Sequence, residues 1–317
     1  MDGVLVIDKP AGPTSHDVVA RVRRAMGMMK KVGHTGTLDP MATGVLPLVL
    51  GRGTRLARFL SGAEKTYEAE IRLGQATDTY DAAGAPLRSP DTRAAVPGAS
   101  RPSDSEAKPA AVPPIDPGEI RRVLSGLTGT YLQAPPPFSA KKIAGVRAYE
   151  MARDGRPVQP RAVSVSVREL NVLTIEGTVV VVRLTCSAGF YVRALAHDLG
   201  SRLGVGGHLQ ALRRTRSGEF TLEHAVRLDL VESDRAAALD RLIPLERTLE
   251  TLPAVVLTAD GERRALHGAE IGGSELLQPL PEPLPERVRL FGSEGRLLGV
   301  AERSSRPGVL HPVVVLG

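Results

Sequence analysis

The chain opens on an apolar run, GVLVIDKP at 3–10, which predicts a short buried strand stopped by Pro10. A Gly-Pro turn follows. Thr14 with Asp17 three residues on forms a capping-box pattern, and Val18, Val19, Val22 and Met26 then recur at helical spacing. The loop GHTGTLDPMATG at 33–44 leads into a second apolar run, VLPLVLG at 45–51, where Pro47 predicts an edge strand or a bulge. TYEAEIRLG at 66–74 alternates with a period of two. Tyr67, Ala69, Ile71 and Leu73 share one face, and Thr66, Glu68, Glu70 and Arg72 share the other.

Residues 84–115 are rich in Pro, Ala and Ser and poor in large apolar side chains, so they predict a disordered or poorly ordered insertion. Asp116, Pro117 and Glu119 mark a helix start, with Ile120, Val123, Leu124 and Leu127 as its apolar stripe. Residues 134–162 begin Ala-Pro-Pro-Pro and carry Lys141, Lys142, Arg147, Arg153, Arg156 and Arg161. Val163, Val165 and Val167 alternate with serine as a half-buried strand does, and TVVVVRLTC at 178–186 reads as a central strand. SAGF then turns into a helix beginning near Tyr191, with Leu195 and Leu199 on one face. The basic cluster LRRTRSG at 212–218 falls on a strand-like segment. After Leu252, short apolar stretches between Gly and Pro turns predict a small β-rich second domain. Strands and helices in this order predict an α+β (mixed α/β) chain rather than a regular βαβ array.

Composition narrows the classes. The 317 residues, 42% hydrophobic, allow a large domain and a small one. No apolar run is long enough to cross a bilayer, and the N-terminus lacks the regions of a signal peptide. Cys186 is the one cysteine, so neither an internal disulfide nor a cysteine zinc cluster is expected, and a cytoplasmic location is. The histidines are scattered, which predicts no metal site, and no GxxxxGK[ST] loop predicts nucleotide hydrolysis. The formal charge of +6 is compatible with nucleic acid but does not single it out. With 3% aromatic residues and no Trp, stacking on bases must rest on a few Tyr, Phe, His or Arg side chains.

Two residues stand out chemically. Asp39 lies between Leu38 and Pro40, with Gly36 and Gly44 nearby. Proline pushes the preceding residue into an extended conformation, and glycines permit tight turns and close approach. A carboxylate so presented suits a nucleophile or a base, and the same spacing suits an ordinary turn. Arg193 falls in the first turn of its predicted helix, facing the positive end of the dipole. That position favours a nearby anion: a surface glutamate, a phosphate or a buried carboxylate.

GVLVIDKPAGPTSHDVVARVR, GHTGTLDPMATGVLPLVLG, KTYEAEIRLGQATDTYDAAG, PPFSAKKIAGVRAYEMARDG, CSAGFYVRALAHDLG and LRRTRSG resemble, in order, the motif series of the TruB family. Those enzymes isomerise the uridine at position 55 in the T-arm of tRNA to pseudouridine. The similarity runs from residue 3 to about 220. The insertion at 84–115 is longer than usual for the family, and the C-terminal part resembles a PUA-like RNA-binding domain only loosely. The resemblance implies the pseudouridine synthase fold, a central, mostly antiparallel sheet flanked by helices. It makes 1–250 the catalytic domain, with 134–162 as the thumb that closes over RNA, and 251–317 the PUA-like domain.

It also implies roles for single residues. Asp39 would attack the sugar or base, or take a proton from the ribose, while the glycosidic bond breaks. Tyr67 would stack on the target base and help remove the C5 proton. Arg193 would pair with Asp39, Tyr191 would line the same pocket, and Leu212 would form part of its apolar wall. His34 would stack near the displaced nucleotide. Lys9 and Pro10 would brace the active-site loop, and Lys65, Asp81 and Lys142 would contact RNA or shape its site. Phe190 stands where the family has a small polar residue. The implied partner is the tRNA T-arm stem-loop; a monomer is expected, without membrane, obligatory protein partner, metal or cofactor. Rival functions are a tRNA-folding chaperone and a guide-dependent synthase acting on ribosomal RNA. A glycosidase would need a second carboxylate across the bond, and Glu68 and Glu70 fall on the face opposite Tyr67.

Overall fold

The computed structural model describes residues 1–87, 114–138 and 161–317, and the backbone of 142–143 and 146–147. Most of the expected insertion (88–113) and most of the expected thumb (139–160) lie outside the described residues. The chain divides into two compact units, Met1–Ala63 with Arg214–Gly317, and Glu64–Arg213.

The first unit begins with strand β1 (Gly3–Lys9), buried at every position but Asp8. Helix α1 (Ser15–Ala25) starts where the capping box predicts: the Asp17 amide donates to Thr14 Oγ1 at 3.1 Å, and the Thr14 amide donates to the Asp17 carboxylate at 2.9 Å. Strand β2 (Val32–His34) and strand β3 (Thr43–Leu50) follow. β3 runs antiparallel to β1 from Gly3↔Leu50 to Lys9↔Gly44, and its last three residues pair with β2. Pro47 therefore sits inside an unbroken ladder, opposite Val6, and not at an edge or a bulge. Its carbonyl accepts from the Thr35 amide at 3.1 Å, on the side away from β1. A strand residue points its N–H and C=O the same way, so the donor that proline lacks is one β1 does not require. Helix α2 (Ala57–Ser61) closes this stretch.

The second unit holds β4 (Lys65–Leu73), α3 (Pro117–Ser125), β5 (Gly129–Gln133), the short pair β6 (Lys142–Ile143) and β7 (Val146–Arg147), β8 (Val163–Glu176), β9 (Val179–Cys186) and α4 (Val192–Arg202). Strand β10 (Gly207–Ser217) starts in this unit and ends in the first. The strand order here is β10-β4-β9-β8-β5, and the β4–β9, β9–β8 and β8–β5 pairs are antiparallel. β4 alternates as its sequence predicts: Tyr67, Ala69, Ile71 and Leu73 are buried. Glu68 on the other face bonds Arg183, and Glu70 bonds Gln210. Asp116 caps α3, accepting from the Gly118 and Glu119 amides. Ile120 and Leu124 of α3 and Leu195 and Leu199 of α4 are fully or almost fully buried.

The chain then completes the first unit with β11 (Phe220–Thr221), β12 (Val226–Arg227), α5 (Leu228–Ser233), α6 (Arg235–Asp240), β13 (Ala254–Val256), α7 (Ala259–Leu266), β14 (Arg287–Phe291), β15 (Leu297–Arg303) and β16 (Leu310–Val315). β12 lies parallel to β1, and β13-β14-β15-β16 form a four-stranded sheet of their own. β15 is buried on both sides. Leu297 and Val300 join the core of Val4, Val6, Val45 and Val49, whereas Leu298 and Ala301 join Leu257, Ala265 and Ile271. The register of β15 against β14 shifts between Leu290 and Phe291, where Leu298 is an extra residue of β15 between Leu297 and Gly299, which turns the side chains to serve both cores. Arg52, Arg55 and Arg58 reinforce the junction by donating to the carbonyls of Leu316, Val315 and Val313 at 2.8, 2.6 and 3.0 Å. The chain is thus mixed α+β, as expected, and no described helix is long and apolar enough to cross a membrane.

Candidate active site

Asp39 lies half-buried in the loop between β2 and β3. Side chains from three other elements hold that loop. Lys9, at the end of β1, is fully buried, and its Nζ donates to the carbonyls of Pro10 (3.0 Å), Pro40 (3.1 Å) and Ala42 (2.7 Å). Ser15, the first residue of α1, accepts from the Leu38 amide at 2.8 Å and donates to the Leu38 carbonyl at 3.0 Å. Arg214, buried on β10, donates from Nε to Val45 (2.7 Å), from Nη2 to Gly36 (3.0 Å) and more weakly from Nη1 to Thr37 (3.4 Å). The carbonyls of 36, 37, 38, 40, 42 and 45 thus each meet a buried side-chain donor. A buried carbonyl without a donor costs about 1–3 kcal/mol, so the loop is strongly determined. Gly44 is required where it stands: its φ is +98°, and a Cβ there would lie 2.2 Å from the Arg214 carbonyl oxygen.

Charge is concentrated around this loop. Burial pushes the Lys9 amine down to about 8; the Asp39 carboxylate opposes that shift and the Arg214 charge adds to it. The His34 ring is held below the usual histidine range by burial, with Arg214 and His16 pushing the same way. Its Nδ1 accepts from the Gly36 amide at 3.3 Å, which fits a neutral ring carrying its proton on Nε2. The first unit therefore gathers Lys9, Pro10, His34 and Asp39 around one loop.

The second unit gathers the other candidates. Lys65 and Tyr67 share the buried face of β4, with Tyr67 opposite Leu184 of β9. Tyr191 is the residue before α4, and no side chain caps the helix there. Gln133, buried at the end of β5, fixes it instead: the Tyr191 amide donates to Gln133 Oε1 at 2.9 Å, and Gln133 Nε2 donates to the Tyr191 carbonyl at 3.1 Å. Arg193 is buried and donates to the carbonyls of Thr79 (2.9 Å) and Phe138 (3.1 Å), with the Asp81 carboxylate 3.6 Å away. One turn further along α4, His197 stacks on Tyr80 with ring centroids 3.8 Å apart, and Tyr80 has a left-handed φ of 65°. Leu212 is buried on β10, and Phe190 is also buried. Lys142 opens β6, and its side chain lies outside the described residues. Arg193 and Asp39 belong to different units. Among the described residues, no group of three or more His, Cys, Asp or Glu side chains is arranged to hold a metal.

Ser15, Gln133 and Arg214 did not stand out in the sequence. For Arg214 a signal was present: Leu212 and Arg214 are two apart on one strand and so share a face. LRRTRSG reads as an undivided basic cluster only if that period is ignored. Ser15 and Gln133 carried no comparable mark.

Residues 23–192 match the family model described as TruB family pseudouridylate synthase (N terminal domain). Residues 193–250 match that of the tRNA pseudouridylate synthase B C-terminal domain. Fold, loop and motif order thus define the class, a pseudouridylate synthase, which is an isomerase. More narrowly, the chain belongs to the TruB family. It is 45% identical to the tRNA pseudouridine synthase B of Thermobifida fusca, over 99% of this chain and 98% of that protein. It is 41% identical to the enzyme of the same name from Solibacter usitatus, over the full length of both. Among solved structures, it resembles a chain of a Cbf5-Nop10-Gar1 complex at 26% identity and a TM-score of 0.69, covering 99% of this chain and 85% of that one. A chain of an H/ACA RNP bound to a substrate RNA containing 2'-deoxyuridine is similar at 25% identity and the same TM-score, covering 99% of this chain and 85% of that one.

Proposed function

We propose that this chain converts the uridine at position 55 in the T-loop of tRNA to pseudouridine, with Asp39 as the reacting carboxylate and no metal, cofactor or protein partner. The observation that carries the proposal is the loop of Asp39, fixed on both flanks by Lys9, Ser15 and Arg214. Catalytic groups gain most when held in productive geometry before the substrate arrives. The substrate class follows from the relatives named tRNA pseudouridine synthase B.

A stacked uridine hides its glycosidic bond, so it must flip out, at a cost of a few kcal/mol that protein contacts offset. Asp39 then attacks the sugar or base, or takes a ribose proton, as the N1–C1′ bond breaks. The freed uracil turns in place, its C5 bonds to C1′, and the C5 proton leaves with help from Tyr67. N1 ends protonated, so no atoms are gained or lost. Arg193 pairs with Asp39, Tyr191 and Leu212 wall the pocket and exclude water, and His34 stacks on the opened T-loop. Lys9 and Pro10 brace the loop. Lys65, Asp81 and Lys142 contact RNA or shape its site. In this reading 1–250 is the catalytic domain, 134–162 its thumb, and 251–317 a PUA-like RNA-binding domain. The protein works as a cytoplasmic monomer.

Likeness to a chain of an H/ACA RNP favours a second reading, a guide-dependent enzyme. A bare T-arm stem-loop separates the two. Pseudouridine at position 55 with this protein alone supports the first; tight binding without product, relieved only by guide RNA and accessory proteins, supports the second.

A further inference from the structure

We propose that Ser15 is a positioning residue for Asp39, setting the peptide from which the carboxylate projects. The inference rests on Asp39 being the reacting group.

Ser15 is 2% exposed, and its hydroxyl makes two bonds to one residue, Leu38, immediately before Asp39. A hydroxyl is the one side-chain group that donates and accepts through a single oxygen, which is what a neighbouring N–H and C=O together demand. Leu38 is itself buried at 3% exposure, so its side chain and both backbone groups are held. The Gly12 amide donates to the Pro40 carbonyl at 2.8 Å, so the segment ahead of α1 also grips the far side of Asp39.

Ser15 is not needed to start its own helix. Thr14 and Asp17 form the capping box, and the Ser15 hydroxyl turns away to the loop. Helix initiation and loop positioning are therefore assigned to adjacent residues, and each can be removed alone. Without the hydroxyl, the Leu38 peptide is released to rotate towards other partners, and the carboxylate one residue on swings with it. A misplacement of about 1 Å at a reacting group costs on the order of a hundredfold in rate.

The test is single-turnover conversion of a T-arm stem-loop at saturating enzyme, with the dissociation constant and melting temperature measured alongside. Ser15→Ala is expected to slow conversion about ten- to a hundredfold with stem-loop binding unchanged. Ser15→Thr and Ser15→Val form a matched pair of equal shape, differing only in the hydroxyl. The threonine variant should recover most of the rate and the valine variant should not, whatever the methyl group costs in packing. Thr14→Ala, which removes the cap and leaves Leu38 untouched, should lower the melting temperature and leave the rate unchanged. Equal rates for the threonine and valine variants would overturn the proposal. So would a Ser15→Ala enzyme that is less stable yet converts at the wild-type rate per folded molecule. Asp39→Asn separates the two layers: if it still makes product, the catalytic reading fails and takes this proposal with it; if it makes none while Ser15→Ala is fully active, only the positioning role falls.

Discussion

Two loops in this protein look alike in sequence, LDPMATG around Asp39 and TDTYDAAG around Asp81, each pairing an aspartate with small residues and a glycine. They are held in different ways. The Asp81 loop adds bonds of its own to those it takes from Arg193 and Leu209: Thr77 donates to the Asp81 carbonyl at 2.7 Å, and Thr79 and the Ala83 amide donate to the Asp81 carboxylate at 2.7 and 3.1 Å. Asp78 ties off the loop by accepting from the Ala85 amide at 2.8 Å. The Asp39 loop is held from outside, by Lys9, Ser15 and Arg214 on three separate elements. An aspartate whose oxygens fold its own turn is committed to structure. The difference teaches that loops of like composition can draw their support from different ranges of the chain: the Asp39 turn from elements far away in sequence, the Asp81 turn mostly from within itself.

The largest expected effect separates the two aspartates directly. Asp39→Ala should abolish pseudouridine formation and change urea unfolding less than Asp81→Ala does. Asp81→Ala should cost about 3 kcal/mol, since it removes the carboxylate beside buried Arg193, and should only lower the rate. Reversed outcomes would invert the comparison.

Gly44→Ala comes next. It combines a φ of +98° with a contact of 2.2 Å to the Arg214 backbone, and should destabilise by roughly 2–6 kcal/mol in urea unfolding. Full stability would mean that Arg214 does not approach the loop so closely.

The third concerns pH. A charged Lys9 has three N–H donors for its three carbonyls, and a neutral amine has two. With the amine at about 8, the single-turnover rate should fall as pH rises through 8. Stability should move the other way. Between about 8 and the ordinary lysine value of 10.5, the unfolded chain binds more protons than the folded one, so this group's contribution to stability increases with pH. Below about 8 both states are charged and the contribution is constant. Lys9→Met should lack both trends, and the same two slopes in that variant would place their origin elsewhere.

The smallest effect is Thr79→Val. It removes one of the Asp81 loop's own bonds and should cost about 1 kcal/mol by thermal or urea unfolding. A loss several times larger would show that the loop depends on single bonds after all.

Legibility in sequence followed the range of the interactions. The start of α1 was legible because the bonds of Thr14 and Asp17 span three residues. β4 was legible because a period of two needs only its own residues. Asp39 was visible as a motif and Lys9 was named with it, but the other two supports were not legible: Ser15 reaches Leu38 across 23 positions and Arg214 reaches Val45 across 169. Pro47 misled for the same reason, since the direction of its missing donor depends on the register of β3 against β1, about forty residues away in sequence. The double burial of β15 showed only as a short apolar stretch, because one of its two cores draws on Val4, Val6, Val45 and Val49, about 250 residues away in sequence.

The most direct test of the account is single-turnover conversion of a T-arm stem-loop by wild type and by Asp39→Asn, with binding measured in parallel. The asparagine keeps the shape of the side chain and loses its charge. The account predicts wild-type binding and no pseudouridine from the variant. Pseudouridine formed by Asp39→Asn at a rate near wild type would contradict it, and would make the braced loop a structural device.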